Sequence, residues 1–190
     1  MSEPLPKRMS HAAYLEAEQR SDIRHEYLRG EVYAMAGGTP EHSALAMAVG
    51  AALTTALAGR RCRVFGSDLR VRIESTDLTT YPDLTVICGS FESSADDPNA
   101  ATNPILIVEV LSDSTEAYDR GEKFAHYRRL PSLREYVLVS QREPRIEAYR
   151  KNAAGEWVLG EAGPGEVLPL ASLEGVRLET DVIYRDPLAS

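Results

Sequence analysis

The spacing of apolar residues predicts one long helix and one fully covered strand. Four apolar residues recur at every fourth position in a segment that ends near Gly59: Leu45, Val49, Leu53 and Leu57. This spacing is typical of a helix with one buried face, and Thr39 followed by Pro40 suits its first turn. Residues 105–111 are almost uniformly aliphatic, as in a strand that is covered on both faces.

Shorter patterns predict the other elements. A hairpin should turn at Arg29-Gly30, where an alternating run is interrupted, and a helix should follow the capping residues at 112–115 and end near Leu130-Pro131. The full prediction is a helix at 10–20, a hairpin at 24–35, a helix at 40–59, a strand pair or bent strand at 63–73, a strand at 81–88, an exposed loop at 89–104, a strand at 105–111, a helix at 112–129, a strand at 135–139 and a hairpin at 145–159. This order predicts an α/β core with a mixed sheet.

Length and composition indicate an ordinary globular protein. The chain has 190 residues, of which 43% are hydrophobic. We expect one domain over residues 10–185 and a flexible N-terminus over residues 1–9. No stretch approaches the roughly 18 apolar residues that cross a bilayer, so we expect a cytoplasmic protein with no membrane partner. Cys62 and Cys88 lie in apolar sequence, and we interpret them as core residues rather than a disulfide.

The net charge of −8 argues against a protein that coats nucleic acid by charge alone. It does not exclude an enzyme that acts on phosphodiesters, because the positive charge of such an enzyme can be confined to one rim. Residues 60–72 contain five arginines and one acid, and Arg70 and Arg72 alternate with apolar residues there. Nucleic-acid binding by Arg70 and Arg72 and a merely solvated strand face both remain open.

Glu109 is unusual because all of its neighbours in the predicted strand are apolar. Burying an unpaired carboxylate costs several kcal/mol, so something must compensate its charge. A cation, a basic side chain or an open strand end would each do so. The alternative interpretation is that Glu109 has a structural role only and is held by a salt bridge.

Asp83 is the best candidate for a partner of Glu109. It follows Pro82 and begins an apolar strand that should neighbour the strand of Glu109, although a Pro-Asp pair also occurs in ordinary turns. Two carboxylates on adjacent strands suit Mg²⁺, which typically uses one or two carboxylates and keeps several waters. Lys123, on the next helix, either forms an i,i+4 ion pair with Asp119 or leans over the two acids and orients a water.

Glu31 and His42 are weaker candidates for the same site. A helix N-terminus disfavours a charged imidazole, so we expect His42 to stay neutral and to accept a proton or bind metal. A surface or capping role is the favoured interpretation of both residues.

Several enzyme classes have no support in the sequence. It contains no GxxxxGK[ST] phosphate loop, no strand-linked GxGxxG, no GxSxG nucleophile elbow and no HExxH zinc site. Paired acids could serve a glycosidase, but the chain has a single tryptophan.

The motifs around these residues resemble the Uma family of restriction endonucleases, within the PD-(D/E)XK nuclease superfamily. The resemblance covers roughly residues 10–185. It rests on Tyr81-Pro82-Asp83, Ile107-Val108-Glu109-Val110, Asp119-Arg120-Gly121-Glu122-Lys123-Phe124-Ala125-His126-Tyr127, Arg24-His25-Glu26-Tyr27, Gly30-Glu31, Met35-Ala36-Gly37-Gly38, His42 and Phe65-Gly66-Ser67-Asp68. It implies a restriction-endonuclease-like core in which helices flank a mixed β-sheet, with additional N-terminal and C-terminal β-hairpins.

The resemblance also implies a site and an activity. Asp83 and Glu109 take the positions of the two acids, and the Val110 carbonyl joins them around Mg²⁺, with Mn²⁺ as a substitute. The superfamily lysine should stand at Leu111, and the resemblance places it at Lys123 instead. Glu31 and His42 match positions that line the same cleft. The implied function is hydrolysis of DNA phosphodiester bonds by a metal-activated water, in double-stranded DNA and by a homodimer. A non-catalytic interaction module with the nuclease fold and a metal-dependent hydrolase of a smaller phosphoester are the alternatives.

Overall fold

The computed structural model describes residues 8–35, 37–186 and 188. Its helices are α1 (His11–Glu18), α2 (Pro40–Ala56), α3 (Glu116–Tyr118), α4 (Phe124–Tyr127) and α5 (Thr180–Ile183), with a 3-10 helix at Glu74–Thr76 and a π-helical segment at Asp119–Lys123. Its strands are β1 (His25–Leu28), β2 (Glu31–Ala34), β3 (Cys62–Gly66), β4 (Arg70–Ile73), β5 (Leu78–Thr80), β6 (Leu84–Cys88), β7 (Ala100–Ala101), β8 (Leu106–Val110), β9 (Glu135–Val139), β10 (Ile146–Lys151), β11 (Trp157–Ala162), β12 (Val167–Pro169) and β13 (Arg177–Glu179).

A six-stranded mixed sheet forms the centre of the fold, in the order β11-β10-β9-β8-β6-β3. β8 pairs parallel with β9 and antiparallel with β6, and the other pairs are antiparallel. All residues of β8 are buried, as its apolar sequence predicts. The register places Leu84 opposite Val108, so the residues just before β6 lie beside the end of β8.

Helix α2 covers one face of this sheet. The Thr39 hydroxyl accepts a hydrogen bond from the backbone N–H of His42, and Pro40 occupies the first turn, so the predicted start is confirmed. Leu45, Val49 and Leu53 are buried and pack with β6, β8 and β9. The four-residue spacing therefore marks the buried face of the helix.

The opposite face is covered by the helical stretch after β8 and by a second sheet, in the order β2-β1-β5-β4-β7. The predicted N-terminal hairpin is confirmed: Arg29 and Gly30, with φ of 50° and 90°, connect β1 to β2. Two positive φ values suit the twist of a two-residue hairpin turn.

Three details of the sequence prediction are wrong. β5 was not predicted, and residues 63–73 form two strands that belong to different sheets. The stretch 89–104 is not simply an exposed loop, because Ala100 and Ala101 are buried and form β7 beside β4. The turn residues around these short strands concealed them.

Cys62 and Cys88 form a disulfide, which corrects the expectation of two free core thiols. The residues stand directly opposite each other on antiparallel β3 and β6, with a Cα–Cα distance of 3.9 Å. Strand pairing therefore brings the two sulfur atoms together, and spacing in the sequence gave no sign of that pairing.

Most of the predicted flexible N-terminus lies outside the described residues. Its last two residues pair with the hairpin through their backbone. Arg8 forms an isolated antiparallel β-bridge with Glu31, and the N–H of Met9 donates to the carbonyl of Gly30 at 2.8 Å. Among the described helices, none is long and apolar enough to span a bilayer.

Candidate active site

Asp83 and Glu109 lie side by side where β6 begins and β8 ends. The backbone N–H of Val110 donates to Asp83 Oδ2 at 2.7 Å, and the N–H of Asp83 makes a longer contact of 3.4 Å with Glu109 Oε2. Backbone groups of each strand therefore hold the carboxylate of the other. The two acids are adjacent, as the sequence analysis expected.

Glu109 is 4% exposed, and two buried donors meet its Oε1 atom. The Tyr127 hydroxyl donates to it at 2.7 Å, and Lys123 Nζ lies 2.9 Å away. Burial, with a smaller contribution from the charge of Asp83, raises the pKa of Glu109 from 4.5 to about 8 against the opposing effect of Lys123. Metal-free Glu109 therefore retains a proton well above the usual range of a carboxyl group.

Asp119, Lys123 and Tyr127 form a row along one face of the helical stretch from α3 to α4. They are four residues apart, and the first two begin and end the π-helical segment. Lys123 Nζ lies 3.4 Å from Asp119 Oδ1 as well as 2.9 Å from Glu109. The ion pair with Asp119 and the contact with Glu109, considered as alternatives from the sequence, are therefore both present.

The ammonium of Lys123 is buried in contact with three acids. Burial alone would lower its pKa, but the carboxylates of Glu109, Glu26 and Asp119 outweigh burial and hold the pKa well above its ordinary value. Lys123 is thus a permanent cation at neutral pH. Its position suits the holding of Glu109 better than the abstraction of a proton.

Glu26 is a member of the cluster that the sequence analysis did not select. Its Oε1 lies 3.4 Å from Lys123 Nζ and also accepts a hydrogen bond from the Thr80 hydroxyl. In the alternating strand β1, Tyr27 is buried and Glu26 points to the other side. The one available signal was its place within the Arg24-His25-Glu26-Tyr27 motif.

His42 reaches the site from the first turn of α2, with Nε2 3.2 Å from Asp83 Oδ2. The hydrogen bond to Asp83 raises the pKa of His42 above 6.5, although burial opposes the shift. A hydrogen bond with the Val110 backbone acts in the same direction. This shift runs in the direction opposite to the one expected for a helix N-terminus, because the Asp83 carboxylate stabilises the protonated imidazole.

Glu31 lies outside this cluster on the edge strand β2. Its carboxylate pairs with Arg8 at 2.8 Å and accepts a hydrogen bond from the Tyr33 hydroxyl. The hydrogen bond from Tyr33, followed by those of Arg8, lowers the pKa of Glu31. The position that lines the site from this hairpin is Glu26, because Glu31 stands beside the hairpin turn on the edge strand and is held by Arg8.

Arg70 and Arg72 are both engaged within the protein. Arg70 binds Asp97 through two contacts, at 2.6 and 3.0 Å, and Arg72 pairs with Asp77 at 2.6 Å. Arg72 is only 8% exposed. A phosphate contact from either guanidinium would first have to break an internal ion pair, so their arrangement is that of structural arginines.

The donor set fits a hard divalent cation that keeps much of its water. Within residues 8–35, 37–186 and 188, no three His, Cys, Asp or Glu side chains converge as in a preformed metal cage. Among the described residues, Glu109 Oε2 has a single 3.4 Å contact, and the contacts of Asp83 with Val110 and His42 both involve Oδ2, so each acid has one oxygen with little internal engagement. One or two carboxylates, with waters at the remaining positions, are what Mg²⁺ commonly takes from a protein.

The overall architecture is that of a nuclease fold. A crystal structure described as a "putative nuclease belonging to DUF820" from Anabaena variabilis ATCC 29413 superimposes with a TM-score of 0.70. The match covers 86% of this chain and 91% of that one at 17% identity. The restriction-endonuclease-like mixed α/β fold expected from the sequence is thereby confirmed.

The chain belongs to the Uma2 family, whose description is "Putative restriction endonuclease" and whose model matches residues 11–181. Two relatives come from Synechocystis sp. (strain ATCC 27184 / PCC 6803 / Kazusa) and carry the names "Uncharacterized protein slr1290" and "Uncharacterized protein sll1609". The first is 40% identical over 184 residues, 97% of this chain and 95% of the relative. The second is 34% identical over 155 residues, 82% and 88% of the two chains.

Proposed function

We propose that the protein is a Mg²⁺-dependent endonuclease that hydrolyses phosphodiester bonds of DNA with a metal-activated water. One observation carries the proposal: Asp83 and Glu109 are adjacent, and Lys123 Nζ lies 2.9 Å from Glu109. Two acids and a lysine in contact match the residue types of the family motif. Membership of a restriction endonuclease family supports the same activity.

Asp83, Glu109 and the Val110 carbonyl would hold the Mg²⁺, and Mn²⁺ would substitute for it. A divalent cation, when bound, supplies charge that polarises the scissile phosphate and lowers the pKa of a water. The protein has to keep its two carboxylates at the right separation. The N–H of Val110 does so for Asp83, and Tyr127 with Lys123 does so for Glu109.

Lys123 and His42 have different tasks in this proposal. The N–H groups of Lys123 face three carboxylates, so it positions Glu109 and balances charge while phosphate approaches. His42 is less enclosed, with 21% of its side chain exposed, and its raised pKa favours the protonated form. It can therefore donate a proton to the leaving oxygen, and no covalent intermediate is required.

Cleavage of supercoiled plasmid tests the activity. Wild-type protein with Mg²⁺ or Mn²⁺ should nick or linearise the plasmid, and Glu109→Gln should not. Glu161→Gln is the matched control, because Glu161 is exposed on β11 at the other end of the sheet. Equal nicking by wild type and Glu109→Gln would refute the nuclease proposal and point to a contaminant.

Calorimetric titration with Mn²⁺ tests the metal site without substrate. Asp83→Asn should bind Mn²⁺ much more weakly than wild type, while Glu161→Gln should bind it equally well. Unchanged binding by Asp83→Asn would show that Asp83 and Glu109 do not share a metal.

A non-catalytic interaction module with the nuclease fold is the second candidate. It is favoured by the internal pairing of both acids, Glu109 with Lys123 and Asp83 with His42. A protein that binds plasmid but neither cleaves it nor binds Mn²⁺ would fit this function. Hydrolysis of a small phosphodiester without plasmid cleavage would indicate the smaller-substrate alternative.

We further propose that the substrate is double-stranded and that the active form is a homodimer. Two sites related by symmetry are the simplest means of cutting both strands. Sedimentation analysis should give twice the mass of the chain, and a monomer that linearises plasmid in one binding event would contradict this.

A further inference from the structure

A surface beside the candidate active site combines exposed arginines with two aromatic rings, of which one is exposed and the other is partly buried. It consists of Arg61, Arg63, Phe65 and Phe91, and we call it the β3 surface. β3 is the last strand of the central sheet within the described part of the chain. Arg61 and Arg63 are exposed, and Phe91 is 45% exposed.

The two phenylalanines separate two shallow grooves. Their ring centroids are 6.0 Å apart and the rings are tilted by 53°. One groove, of about 340 Å³, is lined by Arg61 and Arg63, and the other, of about 490 Å³, is lined by Leu69 and Pro98. Both grooves include Phe65 and Phe91, so a ligand that follows the surface must pass these two rings.

Phe65 of the β3 surface lies on the same sheet face as Glu109. Phe65 stands opposite Thr85, and Thr85 stands opposite Ile107. Directly opposed residues share a face, and so do residues two apart along a strand. Glu109 therefore projects from the face that carries Phe65, and the strand of Phe65 is the neighbour of the strand that Asp83 precedes.

The chemistry of this surface matches an unpaired nucleic-acid strand. An aromatic ring offers a flat face on which a base stacks, and nearby arginines neutralise the phosphates on either side. The guanidinium of Arg63 already lies over the Phe65 ring, 5.2 Å from its centroid. A base pair within a duplex hides its faces by stacking, so these rings are useful only to a strand that is locally unpaired.

We propose that the β3 surface binds an unpaired stretch of the nucleic acid and so directs the adjoining phosphodiester to Asp83 and Glu109. The inference rests on the proposed function for its ligand class, nucleic acid, but binding at this surface does not require cleavage. The concentration of arginine here contrasts with the net charge of −8 of the whole chain. Charge complementarity thus favours a polyanion over a basic or neutral partner surface, and the aromatic rings favour a polyanion that carries bases.

An alternative explanation, which involves no ligand, is that arginines on an edge strand prevent unwanted strand pairing. Protection of an edge requires charge but gives no reason for an exposed Phe91 next to Phe65, and it predicts no preference for bases. A ligand that lacks bases therefore separates the two explanations.

The experiment measures fluorescence anisotropy of labelled oligo(dT) of about 20 nucleotides, in EDTA so that no cleavage occurs. Comparison ligands are a duplex and an abasic sugar-phosphate strand of the same length. Phe65→Ala/Phe91→Ala should weaken oligo(dT) binding about tenfold or more and change abasic-strand binding little. Arg61→Gln/Arg63→Gln should reduce the slope of log K against log salt by about 1.4.

Two controls keep the result interpretable. Val158→Ala/Leu159→Ala removes an exposed apolar pair from β11, at the opposite end of the sheet, and should leave binding unchanged. Phe91→Ala alone should already weaken oligo(dT) binding, and as a loop substitution it is the safer variant if the double change impairs folding. Melting temperatures confirm that each variant is folded.

The outcomes separate this inference from the proposed function. Plasmid cleavage by wild type with no loss of oligo(dT) binding in the phenylalanine variants would overturn the inference alone. Equal affinity for the abasic and dT strands would also overturn it. So would a dimer of the wild-type protein that the phenylalanine variants no longer form, because the rings would then belong to an interface between two copies of the chain. Base-dependent binding without any cleavage would support the inference and refute the nuclease proposal.

Discussion

Lys123→Gln is the substitution that most directly tests the charge balance of the acid cluster. The ammonium contacts three carboxylates, at 2.9 Å for Glu109 and 3.4 Å for Glu26 and Asp119. Its side chain is 8% exposed, so water cannot replace it. Removing one partner of a buried ion pair typically costs about 3–5 kcal/mol, because the remaining charge is left uncompensated.

The expected loss is large relative to total stability. A domain of this size changes its melting temperature by roughly 2–4 °C for each kcal/mol, so Lys123→Gln should melt roughly 10 °C lower near pH 8. The deficit should depend on pH. The folded-state pKa of Glu109 is raised from 4.5 to about 8, so its contribution to stability is complete below pH 4.5 and is lost as the pH rises through 8. Near pH 5 Glu109 is therefore neutral in both proteins, and the deficit should be smaller.

Thermal melting at about pH 5 and about pH 8, with and without Mn²⁺, measures these effects. Lys151→Gln is the control, because Lys151 ends β10 at the side of the sheet where β8 begins, remote from Glu109. Mn²⁺ should raise the melting temperature of Lys123→Gln if the freed acids share the cation. A variant that melts within about 2 °C of wild type at pH 8 would show that the three contacts contribute no net stability, and the explanation of Lys123 as the cation that balances the cluster would be wrong.

Three further predictions concern metal binding, the disulfide and a structural ion pair. Mn²⁺ affinity, measured by titration calorimetry, should rise with pH up to about 8 and then level off, because the cation competes with the proton on Glu109. An affinity that does not change with pH would contradict a metal at that carboxylate. Cys62→Ala/Cys88→Ala should lose about 3.5 kcal/mol in denaturant unfolding, since the bond closes a loop with a sequence separation of 26; two reactive thiols in unreduced protein would disprove the bond. Arg70→Met should lose about 3 kcal/mol, and Arg70→Met/Asp97→Asn should recover part of it; strictly additive losses would show that the pair is not coupled.

Elements with a strong internal pattern could be predicted from the sequence. α2 has a capped start and a regular apolar face, and β8 has a uniformly apolar sequence, so each carries its own evidence. The same contrast exposed Glu109, because a carboxylate is conspicuous in an apolar strand. Its partner Asp83 followed from the expectation that the two strands are neighbours, which the register of β6 and β8 confirms.

Features that depend on pairing over distance could not be predicted in this way. β5 and β7 have only three and two residues, and they become strands through the neighbours that they pair with. The disulfide depends on the β3–β6 register. Glu26 reaches Lys123 only because the hairpin packs across the helical stretch, and an alternating strand gives no indication of which polar residue will meet a partner.

The displaced lysine shows that the site is defined by position in space rather than by spacing along the chain. Leu111 and Glu109 are two residues apart at the end of β8, so their side chains share a sheet face, and Leu111 packs there with Phe124 and Tyr127. A lysine at 111 would therefore enter the region that Lys123 reaches from the helix.

This geometry predicts that Leu111→Lys and Lys123→Leu compensate each other. Leu111→Lys alone should be strongly destabilising because it buries a second ammonium, and Lys123→Leu alone should lose the pairing of Glu109. The double variant should lose less unfolding free energy than the two single variants lose in sum, by at least about 1 kcal/mol. It should also regain some plasmid cleavage. Additive losses of stability would mean that position 111 cannot direct an ammonium to Glu109, and that the helical location of the lysine is a requirement of this fold.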